Sequence, residues 1–214
     1  MSRVRVEPLE CPECGNPLSG LRYDVLFGCT SCGLAFCFES EQRRAFRVRR
    51  AAAEIERPGP RLYLPLWELR VQSAVPAADR ARESLVGLAT SIERLWVSGF
   101  RTRHPQLFKD PGRELSGRRI EASEDPDPPA RQPLLGACRG PATLERRAEL
   151  YVLDRLDKRA DITRLDIELK VGEMRLWQVP FAVEREKLVE LLAGTALPRH
   201  LFEDLPEIER ALAT

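Results

Sequence analysis

Two Cys-x-x-Cys pairs stand near the start of the 214-residue chain, in the stretch CPECGNPLSGLRYDVLFGCTSCG that begins at position 11. A Cys-x-x-Cys turn lets two thiolates converge on one ion, and two such turns supply the four sulfurs of a tetrahedral site. Gly15 and Gly33 follow the two pairs and can adopt the positive φ that a metal-binding turn requires. We therefore predict one zinc ion held by four ligands: Cys11, Cys14, Cys29 and Cys32.

The role of this ion follows from its donor set. Four thiolates close the coordination sphere and leave no position for water or a substrate, so we expect the zinc to be structural and not catalytic. It would fold about 30 residues that are too few to bury a core of their own. The two remaining cysteines have other expected roles, because Cys37 should pack in the core and Cys138 should be a free thiol without a function.

The segment from residue 9 to residue 38 resembles a zinc ribbon, the fold shared by rubredoxins and many small domains of transcription and translation proteins. The resemblance implies a structural zinc on a small β-ribbon, or iron if the domain were redox-active as rubredoxins are. The spacer between the two cysteine pairs is much shorter than the usual rubredoxin spacer, which favours zinc. Further along, LYLPLWELRV at position 62 resembles the proline–aromatic strands of bacterial zinc-ribbon-headed proteins of uncharacterised role, and this resemblance implies no activity.

The composition is that of an ordinary soluble globular chain, with 43% hydrophobic and 31% charged residues. The net charge of +1 creates no overall field that would attract nucleic acid or an anionic membrane, so any such binding needs a local patch. No apolar run approaches the roughly 20 residues that span a bilayer, and the start MSRVRVEPLE lacks the apolar region of a signal peptide. We therefore expect a cytoplasmic protein, in which cysteines at metal-ligand spacing stay reduced.

Residues 40–57 are predicted to form a basic connecting helix. Apolar residues recur at steps of three and four from Ala45 to Ile55, Ser40 can cap the first turn, and RPGP at 57–60 ends the pattern. Such a helix beside a metal-binding ribbon is a candidate nucleic-acid contact, because arginines neutralise phosphates. The alternative is a solvated face paired with nearby glutamates. The candidate arginines are Arg43, Arg44, Arg47 and Arg50.

Three segments share the pattern Arg-Leu-aromatic-x-x-x-aromatic: RLYLPLW at 61, RLWVSGF at 94 and RLWQVPF at 175. Residues four apart share one face of a strand, so each segment would show two aromatic rings to the same side. Pro65 and Pro180 lie inside two of the copies and indicate edge strands or bulges. Aromatic strand faces are ordinary core material, so the repeat predicts core packing unless the match is a coincidence.

Other elements complete an α+β fold, in which the four-cysteine zinc ribbon precedes an α+β body with repeated aromatic-bearing strands. A hairpin turn is predicted at Gly172 and Glu173, before the third copy. Helices are predicted over 77–93 and over 184–194, the second ending at Gly194. By residue number, the predicted organisation is ribbon 1–39, connecting helix 40–57, first half of the body 58–123, exposed proline-rich loop or linker 124–141, and second half of the body 142–214.

The sequence contains no visible catalytic constellation. His104 and His200 have no obvious nucleophile partner, and there is no phosphate-binding loop, dinucleotide fingerprint or Gly-x-Ser-x-Gly motif, so we do not expect an enzyme. The first hypothesis is an adaptor or assembly subunit that binds protein partners in a larger complex. A nucleic-acid-binding module and an iron-containing redox subunit are the alternatives. The C-terminal stretch LPRHLFEDLPEIERAL either offers an apolar partner face or packs onto the core, through Leu197, Leu201, Phe202 and Leu205.

Overall fold

The computed structural model describes residues 9–38, 43–74, 87, 89–103, 110–126, 132–157 and 168–213. These residues form a mixed sheet of eight strands and three α-helices, which confirms the predicted α+β fold. The strands are β1 (Leu26–Gly28), β2 (Leu34–Cys37), β3 (Arg44–Arg50), β4 (Arg61–Ala74), β5 (Arg94–Ser98), β6 (Glu168–Val183), β7 (Lys187–Glu190) and β8 (Ala196–Pro198). The helices are α1 (Pro111–Arg118), α2 (Pro141–Asp157) and α3 (Leu205–Leu212).

The sheet runs in the order β1-β2-β3-β6-β4-β5, and β7 and β8 extend it beside the last part of β6. Strands β4 and β6 form its centre, paired antiparallel from Arg61 and Ala182 at one end to Ala74 and Glu168 at the other. Strand β3 pairs with β6 in parallel and thereby joins β1 and β2 to the central strands. The long strands from the two predicted halves of the body, β4 and β6, therefore lie side by side in one sheet.

Both faces of the central strands are buried. Side chains alternate between the two faces of a strand, so the unbroken run of buried residues 62–69 in β4 requires a covering layer on each side. One face, with Trp67 and Leu69, packs against α2. The opposite face, with Leu64 and Leu66, packs against α1 and α3. The sheet is therefore the middle layer of the fold.

The three repeated segments begin in β4, β5 and β6, which are neighbours in the sheet, so the strand prediction is confirmed. Within the second and third segments the two rings lie on the same side, as predicted, because Trp96 packs in one layer with Phe100 and Trp177 with Phe181. The three segments do not all face the same layer. Trp67 packs in the layer with α2, whereas Trp96 and Trp177 lie in the layer with α1 and α3, with ring centroids 6.2 Å apart. All three indoles are buried, and the repeat therefore contributes to core packing.

The prolines of the repeat occupy central strands, which corrects the prediction of edge strands or bulges. The carbonyl of Pro65 accepts a hydrogen bond from the Gly99 amide at 2.8 Å, and that of Pro180 accepts one from the Leu191 amide at 3.0 Å. Gly99 and Leu191 each stand one residue beyond the end of a neighbouring strand. Because the nitrogen and oxygen of a strand residue point toward the same neighbour, each missing N–H faces the end of a ladder, where it costs no strand pairing.

The basic helix predicted over residues 40–57 is wrong, because Arg44–Arg50 is strand β3, paired with β2 and β6. Within RAFRVRR the apolar Phe46 and Val48 alternate with arginines, and this period of two directs both side chains into the layer that contains Trp67. The rings of Phe46 and Trp67 meet edge to face, with centroids 4.9 Å apart. Phe46 is not among the apolar positions of the predicted helix, and the packing of its ring on Trp67 favours the strand.

The helix predicted over 184–194 is also wrong, because strand β7 and a turn occupy most of these residues. Gly194 has a positive φ of +77°, but it closes a turn, in which its amide donates to the Glu190 carbonyl at 3.0 Å. The buried Glu190 carboxylate accepts hydrogen bonds from the amides of Leu192 and Ala193. These bonds satisfy the backbone of the turn, so the chain reverses where a helix would have continued.

The hairpin predicted at Gly172 is replaced by one continuous strand, β6. The register between β4 and β6 shifts at this point, because Leu69 pairs with Met174 whereas Val71 pairs with Val171. The β6 side thus contains one extra residue, which is the definition of a β-bulge. A glycine inside a strand pattern indicates such a bulge as readily as it indicates a turn.

The proline-rich segment 124–141 has neither a helix nor a named strand in its described residues before α2 begins, as predicted for a loop. Its second half is not exposed, however, because residues 134–137 are buried. The amides of Val25 and Leu26 donate hydrogen bonds to the Ala137 carbonyl at 2.9 and 3.2 Å. The segment therefore packs against the cysteine-bearing part of the chain instead of projecting into solvent.

The apolar residues of the C-terminal stretch pack in the core, in the layer that contains α1 and α3. None of the four is more than 4% exposed, so the core-packing alternative is confirmed and the partner face is wrong. The Phe202 ring stacks on Phe100, with centroids 5.1 Å apart. The four residues are Leu197, Leu201, Phe202 and Leu205.

Two predictions fall mainly on residues outside the described ranges. The helix predicted over 77–93 lies largely outside them, although Gly87, Ala89 and Thr90 are helical. Ser40, the predicted cap of the basic helix, also lies outside them. Among the helices that the structure describes, none is long and apolar enough to cross a membrane.

Candidate metal centre

Each Cys-x-x-Cys pair folds into the same hydrogen-bonded turn. In the first turn the Gly15 amide donates to the Cys11 carbonyl at 2.8 Å, and in the second the Gly33 amide donates to the Cys29 carbonyl at 2.9 Å. The φ angles of Gly15 and Gly33 are +71° and +76°, which confirms the positive φ predicted for both. A residue with a Cβ would be strained in this conformation, so the glycines let each pair of thiols converge.

The two turns bring the four predicted ligands together. The sulfurs of Cys11 and Cys32 are 3.5 Å apart, and those of Cys14 and Cys29 are 3.4 Å apart. All four sulfurs lie within 4.8 Å of one another. Sulfurs held at about 2.3 Å around a tetrahedral zinc are about 3.8 Å apart, so the spacing fits a four-coordinate ion. The cluster can therefore bind a metal ion.

The crowded sulfurs differ in acidity. Burial raises the pKa of Cys29, but hydrogen bonds from the Cys32 amide and from the Cys14 and Cys32 thiols outweigh burial and lower that pKa to about 6. Burial and the neighbouring thiols raise the pKa of Cys32 to about 12. Cys29 therefore loses its proton more readily than Cys32, and binding of a metal ion by all four sulfurs would release the remaining thiol protons.

A small apolar cluster packs beneath the sulfurs. Cys11 and Cys29 are 2% and 3% exposed, and they pack with Leu18 and Phe36. Cys14, in contrast, faces solvent. This cluster is much smaller than the two layers that cover the central sheet, so a bound ion would supply a large share of the local stability.

Two sets of contacts join residues 9–38, which we call the cysteine ribbon, to the rest of the protein. Strand β2 of the ribbon pairs with β3 along its whole length. On another side, the buried carboxylate of Asp24 accepts a hydrogen bond from the Gly136 amide at 3.1 Å. Cys37 is 4% exposed and packs in the layer with α2, which confirms its predicted place in the core.

The four arginines of the nucleic-acid hypothesis do not converge on one face. In strand β3, Arg44 and Arg50 lie on the opposite face from Arg47. Arg43, just before the strand, stacks on Phe38 at 5.5 Å from the ring centroid. Arg47 and Arg50 both contribute to a cleft of about 490 Å³ beside the second cysteine pair, where two carboxylates also line the wall. The cleft is therefore mixed in charge.

Sequence reasoning missed two clusters because their members are far apart in the chain. The thiol of Cys138, predicted to have no role, lies 3.3 Å from a carboxylate oxygen of Asp24 and 3.4 Å from one of Asp204. Four arginines from β4, β5, α2 and the end of α1 line a second pocket. Of the two histidines, His200 is exposed and His104 lies outside the described residues.

No protein-family model matches the chain, and no curated protein or solved structure matches it either. The class of the protein is therefore defined by its own residues. It is an α+β protein with a four-cysteine cluster, able to bind a metal ion, near the start of the sequence.

Proposed function

We propose that the protein is a non-catalytic adaptor or assembly subunit, in which one zinc ion folds the cysteine ribbon into an element that binds another protein. The observation that carries the proposal is the exposure of large apolar side chains on the ribbon itself. Leu9, Tyr23 and Phe38 are 45%, 52% and 36% exposed. They are three of the five large apolar side chains that are exposed in the described part of the chain, although the ribbon is a small fraction of it.

A structural zinc is favoured over a catalytic metal by the donor set, and over a redox-active iron by the short spacer between the two cysteine pairs. Four thiolates occupy every position of a tetrahedral ion, so neither water nor substrate can reach the metal. The apolar cluster under the sulfurs is small, so the bound ion would supply the stability that this cluster lacks. Iron in the same site would make the protein a redox subunit, and this alternative remains part of the test.

A protein partner is favoured by the kind of side chains that are exposed. The ring of Tyr23 is covered by the guanidinium groups of Arg22 and Arg101, which lie 5.4 and 4.7 Å from its centroid. Phe38 meets Phe27 edge to face. Aromatic and arginine side chains concentrate binding free energy at protein interfaces, and rings that are already held in place lose little conformational entropy on binding.

The first experiment is an affinity purification from the native host, with half of each sample treated with nuclease and the metal content measured in the eluate. The bait is compared with the double variant Tyr23→Ser/Phe38→Ser and with Leu150→Ser. Leu150 is 57% exposed on α2, outside the ribbon, so it is a matched control for loss of an exposed apolar side chain. We expect one zinc per chain and a partner that withstands nuclease, is reduced at least about tenfold by the double variant, and is unaffected by Leu150→Ser.

Three results would contradict this proposal in different ways. Partners that disappear after nuclease treatment would support the nucleic-acid alternative, with Arg43, Arg44, Arg47 and Arg50 as the next residues to change. A coloured eluate that contains iron would support the redox alternative. Equal capture by the double variant and the wild-type protein would remove the ribbon surface as the binding element.

A further inference from the structure

A second pocket, of about 330 Å³, opens where the end of α1 meets β4, β5 and α2. Four arginines and two glutamates supply its charges, so the lining carries four positive and two negative groups, a net +2. No histidine or cysteine takes part. We call this site the arginine pocket, after its four basic residues: Arg70, Arg94, Arg119 and Arg155.

Two of these arginines lie directly opposite each other on adjacent strands of the sheet. Arg70 of β4 pairs in register with Arg94 of β5, so two positive side chains extend from adjacent backbone positions on one face. Like charges placed directly opposite each other destabilise a sheet. The β-bulge between β4 and β6 lies next to Arg70, and bulges commonly re-aim a side chain at a binding site. The arrangement costs stability and concentrates positive charge in the pocket.

Arg119 reaches the pocket from a strained backbone. Its φ of +55° makes it the one non-glycine residue with positive φ in the part of the chain that the structure describes. The amide of Arg119 caps α1 by donating to the carbonyls of Leu115 and Ser116, which holds the backbone in this conformation. Glycine would adopt this backbone conformation without strain, so the local geometry gives no reason for an arginine at this position.

The four arginines divide into an anchored pair and an available pair. Arg94 forms ion pairs with the buried Glu68, at 3.1 Å, and with the exposed Glu121. Arg155 donates to the Ser116 carbonyl at 3.3 Å. Arg70 and Arg119, in contrast, form no side-chain hydrogen bond or ion pair with any other residue in the described ranges, although the charge of Arg70 lowers the pKa of Glu121 and of Glu173.

The surroundings of the available pair suit a small anion. Arg94 and, more weakly, Arg70 lower the pKa of Glu121, which is exposed enough to be displaced as a counter-ion. The adjoining pocket of about 560 Å³ shares Arg70 and Glu93 with the arginine pocket and adds Lys170 and Glu173, so its own charges balance. An anionic group held by the arginines would therefore have room beside it for the remainder of a small molecule.

We propose that the arginine pocket binds the phosphate group of a small phosphorylated molecule. A phosphate monoester carries close to two negative charges at neutral pH, and the net positive charge of the lining attracts it. Guanidinium groups bind phosphate oxygens through paired, charge-assisted hydrogen bonds, and the set here combines two fixed groups with two that are available. The site lies in the body of the protein, and the inference stands independently of the adaptor function proposed for the ribbon.

The test is isothermal titration calorimetry of the whole 214-residue chain, loaded with metal, with inorganic phosphate and with glycerol 3-phosphate, at constant ionic strength set by chloride. The variants are Arg70→Gln, Arg119→Gly and, as control, Arg61→Gln. Arg61 lies on the same strand as Arg70 but nine residues away, about 30 Å at the rise of a β-strand. Because glycine suits the backbone of residue 119, Arg119→Gly removes the guanidinium group without a penalty in folding.

We expect saturable binding of both probes, weakened at least about tenfold by Arg70→Gln and by Arg119→Gly and unchanged by Arg61→Gln. Absence of saturable binding to the wild-type protein would overturn the proposal, as would equal losses in all three variants. A single-stranded oligonucleotide that displaces phosphate at lower concentration, and loses binding in Arg119→Gly, would also overturn it and assign the pocket to nucleic acid.

Discussion

The thiol of Cys138 lies between the carboxylates of Asp24 and Asp204 at the junction of the cysteine ribbon and the body. Arg101 donates hydrogen bonds to both carboxylate oxygens of Asp204, so its positive charge neutralises Asp204. Asp24 instead accepts hydrogen bonds from the backbone amides of Leu21 and Gly136 and from the thiol. Burial is the largest influence on this carboxylate, and it raises the pKa of Asp24 to about 6.

This raised pKa predicts that part of the stability disappears as the solution becomes neutral. An unfolded Asp24 releases its proton near the ordinary aspartate pKa of 3.8, whereas the folded one keeps it until about pH 6. The folded state therefore binds more protons in this window, and its contribution falls as pH rises through it. From pH 5 to pH 7.5 we expect the free energy of unfolding to fall by about 1 kcal/mol from this group alone.

The variant Asp24→Asn isolates the effect, because an amide oxygen can still accept the backbone hydrogen bonds but carries no charge. Urea denaturation at pH 5 and pH 7.5 should give a smaller fall in the free energy of unfolding for Asp24→Asn than for the wild-type protein. Asp157→Asn, at an exposed position at the end of α2, should behave like the wild type. A fall as large in Asp24→Asn as in the wild type would show that other groups cause the pH dependence.

Strand β5 is the last strand of the sheet, and helix α1 covers its outer edge through two small residues one helical turn apart. The Ser116 hydroxyl accepts a hydrogen bond from the Trp96 amide at 2.6 Å and donates to the Gly112 carbonyl at 2.7 Å. Gly112 lets the helix approach the strand, because a Cβ there would stand 2.6 Å from the Trp96 carbonyl oxygen. The Ser116 hydroxyl thus satisfies the edge amide of Trp96, and the helix shields this edge from pairing with other chains.

Two glycine-to-alanine changes in α1 should have opposite effects on stability. Gly112→Ala places a methyl group against the backbone of β5, which cannot move away cheaply, and we expect a loss of about 1–3 kcal/mol. Gly117→Ala has nothing within 4 Å of the new Cβ and improves helix propensity, so we expect a gain of up to about 1 kcal/mol. Urea denaturation of both variants checks this, and effects of the same sign would show that α1 does not pack as described.

At the scale of the whole molecule, the protein combines a large core with a small one that lies beneath a four-cysteine cluster able to bind a metal ion. The central sheet is buried on both faces by helices and loops, whereas the sulfurs of the cysteine ribbon rest on few apolar side chains. The ribbon and the body meet at the β2–β3 pairing and at the contacts of segment 134–137. Loss of the ion should therefore unfold the ribbon first and leave the central strands intact.

Removal of the metal tests this difference directly. After treatment with a chelator, or in Cys14→Ser, backbone amides in residues 9–38 should exchange with deuterium faster, while those of β4 and β6 stay protected. Cys14 is exposed, so its replacement by serine removes a ligand with little loss of packing. Cys37→Ser changes a buried cysteine that lies outside the cluster and should keep one metal ion per chain. Uniform exchange across the ribbon and the central strands would mean that the two parts unfold together.

The features that could be predicted from the sequence depend on neighbours along the chain. The Cys-x-x-Cys spacing and the glycines after it define two turns within five residues each, and both turns form with Gly15 and Gly33 at positive φ. The three aromatic-bearing segments are predicted to be strands because apolar and β-favouring residues dominate them, and they lie largely within β4, β5 and β6. In each case the physical cause is local backbone geometry or local side-chain pattern.

The features that only the tertiary structure decided depend on residues that are distant in sequence. Phe46 packs on Trp67, and this contact favours a strand where the arginine-rich segment alone indicated a helix. The opposition of Arg70 and Arg94 likewise exists only once β4 and β5 are paired. Local pattern sets what an element can be, but the free energy of burying it against its neighbours sets what it becomes and which side chains meet.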